Sequence, residues 1–382
     1  MFKPHFCPNP ECHFHAYQNN QRSVKWYSKD GFYSSRLYGK VQRYKCKYCK
    51  VRFSEQTFNI DYHVKKKVSY KAIFNGIAAT SSISDLSRKE KVSPHTIINR
   101  ERRLAAQAMY IHSILLSTIT IQEPIVCDGF QSVVQNFYFP NNINIAIGKR
   151  TQFFYSLSYA QIKRAGNLSD QQVEKKEHYE SVSNIDPKAV EKSFSELISS
   201  IIEIMKESDK SELTLFTDRK QAYVAAIRNN LKLRTLIEAE KFQHTRISSK
   251  EPRTIKNPLF SVNYMDRQFR KDLSEHVVKS ICFGRNVNNQ LERMVIYRFY
   301  HNFIKSYRVR GNNKYTHSDM AGIPSKLSSY YIKHFFRERF FPSRIKILSV
   351  DQKILKRIYP TPLLDNSNLK KQETSKKDTK IA

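Results

Sequence analysis

Between positions 121 and 165 the chain repeats one kind of pattern three times. PIVCDGFQSV, NINIAIG and QFFYSLSYAQI are short runs of β-branched and aromatic residues, dense enough to be buried on both faces. They predict three consecutive strands. The period then changes: DPKAVEKSFSELISSIIEIMK (186 to 206) carries apolar residues at helical spacing, ELTLFTDR reads as a short strand, and AYVAAIRNNL opens another amphipathic helix. Three strands, a helix, a strand and a helix form an α/β order, which predicts a mixed sheet with flanking helices.

Two aspartates stand where such a sheet should exclude charge. Asp128 interrupts the apolar run PIVCDGF and Asp218 closes LTLFTD. A buried strand carboxylate is costly unless it is paired or binds a metal. For Asp218, which precedes Arg219 and Lys220, an ion pair or a turn cap is the plain alternative. Two carboxylates at strand ends of one sheet are also the hard oxygen donors that Mg²⁺ or Mn²⁺ takes. Two such ions, about 3.5–4 Å apart, would need a third acid. With nine glycines and no Walker-type loop, the sequence gives no sign of a nucleotide cradle. Cys127 and Cys282 have no partner in the pattern that would make them nucleophiles.

The first 58 residues are of another kind. Cys7 and Cys12 are followed by Cys46 and Cys49, two close pairs among few aliphatics. Paired cysteines at this spacing predict a zinc ribbon, with Zn²⁺ supplying folding energy that so small a core lacks. His5, His13 and His15 lie near enough in sequence to replace one cysteine. Arg43, Lys45, Lys47, Lys50 and Arg52 around the second pair suit contact with phosphate.

Charge extends that inference to the whole chain. The net charge is +32, from 66 Lys+Arg against 34 Asp+Glu, which points to a polyanionic partner, with nucleic acid favoured over a membrane surface. Residues 1 to 110 hold 21 of those cations and only 7 acids. Within them SISDLSRKEKVSPHTIINRERRLAAQAM predicts a helix-turn-helix: Ser93 caps the second helix and Pro94 occupies its first position. That helix would present His95, Thr96, Asn99, Arg100, Arg102 and Arg103 to a major groove. A plain helical hairpin fits the same spacing.

The expected organisation is a zinc ribbon at 1–58, a helix-turn-helix domain at 60–115, an α/β domain at 120–345 with a polar, mobile insertion at 166–185, and a disordered basic tail at 363–382. No apolar window spans a membrane and the N-terminus lacks a signal-peptide core. These features predict a protein of the reducing cytoplasm, associated with the nucleoid.

Taken together, the ribbon, the helix-turn-helix and the acid-bearing strands resemble bacterial insertion-element transposases of the insertion-sequence-one type. The resemblance is closest at HVVKSICFGRN, with DRQFRKDL before it and RFYHNFIKSYRV after it, and it spans residues 1 to about 325. It implies an RNase H-like catalytic domain of the DDE class that cuts element ends and joins them to target DNA by transesterification with two Mg²⁺ or Mn²⁺ ions. The first two acids fall on Asp128 and Asp218. The third, a glutamate followed by arginine in the family, falls on Asp266 before Arg267, so this chain carries the shorter acid there. The resemblance also implies double-stranded DNA as partner, both element ends and target, and a homo-oligomer on DNA. An inactive, DNA-binding descendant of such an enzyme is the alternative reading.

Helical spacing bears on the third acid. A helix over 264 to 281 would carry an apolar stripe through Phe269, Leu273 and Val277, with Asp266 inside it, Asp272 about 90° away and Glu275 nearly opposite. Arg267 and Arg270 would then stand beside the scissile phosphate. Glu292 lies near a second stripe, Leu291, Val295 and Phe299, and remains the rival third acid.

Overall fold

A computed structural model of the chain describes residues 2–16, 25–181, 183, 185–205, 212–277, 282–308 and 314–362. The elements expected at 278–281 and in the tail at 363–382 lie outside the described residues.

The N-terminal piece is a three-stranded antiparallel sheet, β1 (Tyr27–Ser35), β2 (Gly39–Cys46) and β3 (Arg52–Ser54), in that spatial order. Three helices follow: α1 (Tyr70–Ala78), α2 (Ile83–Glu90) and α3 (Pro94–Leu116). Ser82 and Asp85 form a capping box on α2, and Ser93 accepts the Thr96 amide at the start of α3 with Pro94 in its first turn. Lys91, with φ of +52°, turns the chain between the two helices.

The central sheet has five strands: β4 (Ile125–Val134), β5 (Asn136–Gly148), β6 (Phe154–Gln161), β7 (Leu213–Asp218) and β8 (Phe242–Ile247), in the order β6-β5-β4-β7-β8. β4, β5 and β6 form an antiparallel meander, while β7 runs parallel to β4 and β8 parallel to β7. Between β6 and β7 lie α4 (Asp170–Ser181) and α5 (Ala189–Met205), and between β7 and β8 lie α6 (Gln221–Asn229) and α7 (Leu231–Glu238). The polar stretch read as an insertion thus carries a helix of its own. The chain continues through α8 (Phe260–Asp272), α9 (Val287–Phe303), α10 (His317–Met320), α11 (Ser325–His334) and α12 (Ser349–Leu355).

One face of the sheet is covered by α5, whose buried Phe194, Leu197, Ile198 and Ile201 recur at helical spacing. α8 packs on β4 and β5 through Val262, Met265 and Phe269. The helical segment is not set apart from this sheet. α3 runs along α9, and a continuous apolar core links Phe74, Leu104 and Ile111 to Ile145 and Val295.

The helix expected over 264–281 starts and ends earlier. Leu273 leaves helical geometry at φ −128°, ψ 91°, and a short 3₁₀ turn, Ser274–His276, follows. Positions beyond Asp272 therefore do not follow the helical projection, and Glu275, expected to face outward, is buried.

Candidate functional site

The four cysteines converge. Their sulfur atoms all lie within 4.8 Å of one another, with Cys7 and Cys49 at 3.6 Å and Cys12 and Cys46 at 3.8 Å. Tetrahedral zinc with bonds of about 2.3 Å sets its thiolates about 3.8 Å apart, so the donor set fits one structural zinc ion. Backbone geometry makes the two knuckles: the Cys7 amide donates to Phe14, and the Lys50 amide closes on Cys46 with Lys50 at φ +62°. Burial pushes the Cys7 thiol well above the ordinary thiol range. At Cys49 burial is outweighed by the hydrogen bond from the Val51 backbone and by neighbouring sulfurs, which bring the thiol down to about 7. A bound dication is what would let all four ionise together.

No histidine is needed to complete this set. His15 is held at both ring nitrogens, Nδ1 by the Cys7 carbonyl and Nε2 by Ser343, each at 2.7 Å. His5 and His13 are exposed. Trp26 stacks between Phe14 and Phe53, and Phe341 from the far end of the chain closes the ribbon core. Of the nearby cations, Arg52 pairs with Asp30 at 2.9 Å.

The second site lies on the central sheet. Asp128 sits in β4, Asp218 at the end of the neighbouring parallel strand β7, and Asp266 on α8, which packs across β4. Electrostatics join them. The Asp128 carboxyl is raised by burial and then by the charge of Asp218, and Asp266 is raised to about 7 by burial and then by Asp128. The Tyr223 hydroxyl is raised by burial and by the charges of Asp128, Asp218 and Asp266. Among the described residues none of the three acids is held in an ion pair, and Oδ1 of Asp266 is buried without a hydrogen-bond partner. Asp128 and Asp266 are thus raised with no ion pair among the described residues to lower them. The three acids are more widely set than the thiols, since the cysteines are the group whose ligand atoms close to 4.8 Å.

Glu292, the rival acid, is elsewhere in this respect. It is buried and bound by Arg357 at 2.5 Å, and Arg357 also holds Asn289. Its carboxyl is raised by burial despite Arg357 and Arg102. Asp272 accepts the Tyr297 hydroxyl at 2.6 Å, and Glu275 pairs with Arg293 at 2.7 Å.

Cations ring the acids. Lys220 and Arg253 both act on Asp128, and Arg253 and Arg270 on Asp266. Arg267 is exposed, whereas the Arg270 guanidinium donates to the carbonyls of His276 and Gln131 and lies 4.8 Å from the centre of the Phe130 ring. Arg253 carries no sequence signal beyond charge, and sequence reasoning gave it no role; Lys220 entered only beside Asp218, which caps the turn by accepting the Lys220 amide at 3.0 Å. Beneath Asp128 the buried Asn142 donates to Asn144 at 2.7 Å, and Asn144 donates to Ser193.

The face of α3 divides in two. His95 and Arg102 are exposed, and Thr96 and Asn99 are half-buried. Arg100 departs from the groove-reading role, because its side chain is buried and donates to the Lys66 carbonyl. Arg103 donates to the Ile60 carbonyl at 2.5 Å and lies over the Tyr62 ring at 4.1 Å. Behind them Arg293 is buried between Glu101 of α3 at 2.8 Å and Glu275 at 2.7 Å. Burial raises Glu101 to about 7 despite that arginine.

Comparison of the chain with models of known protein families gives no match, and no curated protein matches it significantly. Among the described residues no helix is long and apolar enough to cross a membrane.

Proposed function

We propose that this chain is a DDE-type DNA transposase with three aspartates, Asp128, Asp218 and Asp266, acting on double-stranded DNA. The observation that carries the reading is the placement of Asp128 and Asp218 on two parallel neighbouring strands and of Asp266 on the helix packed against the first of them, with no ion pair to any of the three among the described residues. The element order of strand, strand, strand, helix, strand, with acids on the first and fourth, agrees with an RNase H-like domain.

The acids would hold two Mg²⁺ or Mn²⁺ ions, which when bound supply a stabilising charge for the attacking and leaving oxygens of a phosphodiester. The protein's own part is to leave the carboxylates without ion-pair partners; burial by itself favours the protonated form of Asp128 and Asp266, and bound cations would be what ionises them. Lys220, Arg253 and Arg267 stand ready to attract and orient the scissile phosphate. Water would first release a 3′-hydroxyl at an element end, and that hydroxyl would then attack target DNA. The charge of Asp128 acts on Asp266, so the aspartate at 266 lies in the electrostatic surroundings of the first acid.

The test is Mn²⁺-dependent strand transfer on DNA carrying the flanking ends of the gene, comparing wild type with Asp218→Ala. Loss of product in the variant is expected. Equal product from both would sink the enzyme reading.

A further inference from the structure

A cleft of about 760 Å³ opens on the outer side of α3, between the connector at 60–66 and the C-terminal segment at 339–342. Its walls contain Lys65, Lys66, Arg100, Arg102, Arg103 and Arg339 and not one aspartate or glutamate. Six like charges around one cleft are a standing electrostatic cost unless an anion fills it.

The cations fall into two sets with different jobs. Arg103 and Arg339 are fixed donors: both lie against the Tyr62 ring, at 4.1 and 3.6 Å, and each also reaches a backbone carbonyl. Burial and the charge of Arg103 lower Arg339 from the ordinary arginine value. Lys65, Lys66 and Arg102 are exposed at the rim, with no ion pair to a described residue. Among the described residues no acid lines the cleft itself. Asp61 lines an adjoining cavity with Tyr38, Glu292 is bound by Arg357 with Arg102 also acting on it, and Glu338 pairs with His334.

We propose that this cleft seats the phosphodiester backbone of a DNA strand, gripped by Arg102, Arg103 and Arg339 with Lys65 and Lys66 at the rim, while His95 at the exposed N-terminal end of α3 is left to touch base edges. The inference rests on the nucleic-acid part of the function above and is independent of the acids. Rigid guanidiniums on an aromatic ring match phosphate geometry, and mobile rim lysines add charge without sequence preference. Binding through the cleft is therefore sequence-independent and steeply dependent on salt.

The experiment measures binding of the full chain to 30-base-pair duplexes of several unrelated sequences in EDTA across a salt series. Lys65→Gln/Lys66→Gln is compared with wild type and with Lys175→Gln, an exposed site on α4 outside the cleft. Because Lys65 and Lys66 are exposed, the double variant should fold, which its thermal melt verifies. The double variant is expected to lower the slope of log K against log salt by about 2 and to weaken binding roughly 30-fold at 0.15 M salt, equally on every sequence. An unchanged slope overturns the proposal, as does a loss confined to one sequence. So does stabilisation of wild type by inorganic pyrophosphate that the double variant loses while its DNA slope stays intact, which would make the cleft a small-anion site. Failure of strand transfer with the salt effect intact would count against the catalytic reading and leave the cleft standing.

Discussion

Replacing Gly129 by alanine probes the packing beneath the acids. A Cβ at this position would overlap the side-chain amide of Asn142 and lie 2.8 Å from the Tyr223 hydroxyl. Neither neighbour can retreat freely. Asn142 is 1% exposed and donates to Asn144, while Tyr223 is fully buried and stacks on Phe194 with ring centres 4.0 Å apart. Overpacking of this kind costs about 1–3 kcal/mol, and the displaced Asn142 hydrogen bond adds about 1 kcal/mol. Gly129→Ala should therefore destabilise the protein by about 2–4 kcal/mol. Urea denaturation followed by circular dichroism measures the loss. Adding Asn142→Ala removes the overlapping atoms, and the pair should show a coupling of at least about 1 kcal/mol, the double variant recovering part of the stability. A single variant within about 0.5 kcal/mol of wild type would refute the crowding argument. So would a double variant whose losses simply add.

Metal analysis of the purified chain should find zinc bound at the cysteines, and chelation or Cys46→Ser should shift the fluorescence of Trp26, the chain's one tryptophan, which stacks in the ribbon core. At the third acid, Asp266→Ala should abolish strand transfer, whereas Glu292→Gln should spare the chemistry and cost about 1–3 kcal/mol of stability by weakening the bond to Arg357, as denaturation reports. Stability should also fall in acid. His276 and His317 are buried and held at about 4, below the ordinary 6.5, chiefly by burial. The unfolded chain therefore binds more protons between pH 6.5 and 4. Each histidine's contribution is complete above that window and lost as pH falls through it, up to about 3 kcal/mol each. Denaturation at pH 7.5 and pH 5 checks this, and His317→Gln should flatten the dependence.

Local chemistry was legible in the sequence, and long-range closure was not. Cys7, Cys12, Cys46 and Cys49 announced their meeting through spacing alone, because each knuckle is built within a few residues. Asp128 and Asp218 stood out because a charge inside an apolar run has few inexpensive explanations. FQHTRI, which forms β8, went unread: it is a half-buried edge strand with only Ile247 fully buried, so its alternation is faint. Glu275 misled the helical projection because α8 stops at Asp272, and a buried partner 18 residues away, Arg293, draws the glutamate inward. Arg100 misled the groove reading for a similar reason: the carbonyl it serves, Lys66, is brought beside α3 by the tertiary fold. The closing of the ribbon by Phe341 is a contact across most of the chain, and no local pattern encodes it.

α3 spans 23 residues, roughly 35 Å of unbroken helix. One end stands beside the cationic cleft, and the other is wedged against α9 in the core that carries the acids. About a third of the way along it, Glu101 shares the buried Arg293 with Glu275, three residues beyond the end of the helix bearing Asp266. A helix so anchored behaves as a ruler. The interval between the cleft and Asp128, Asp218 and Asp266 is set by the rise of that helix and by a buried ionic latch, where a hinged linker would let it wander.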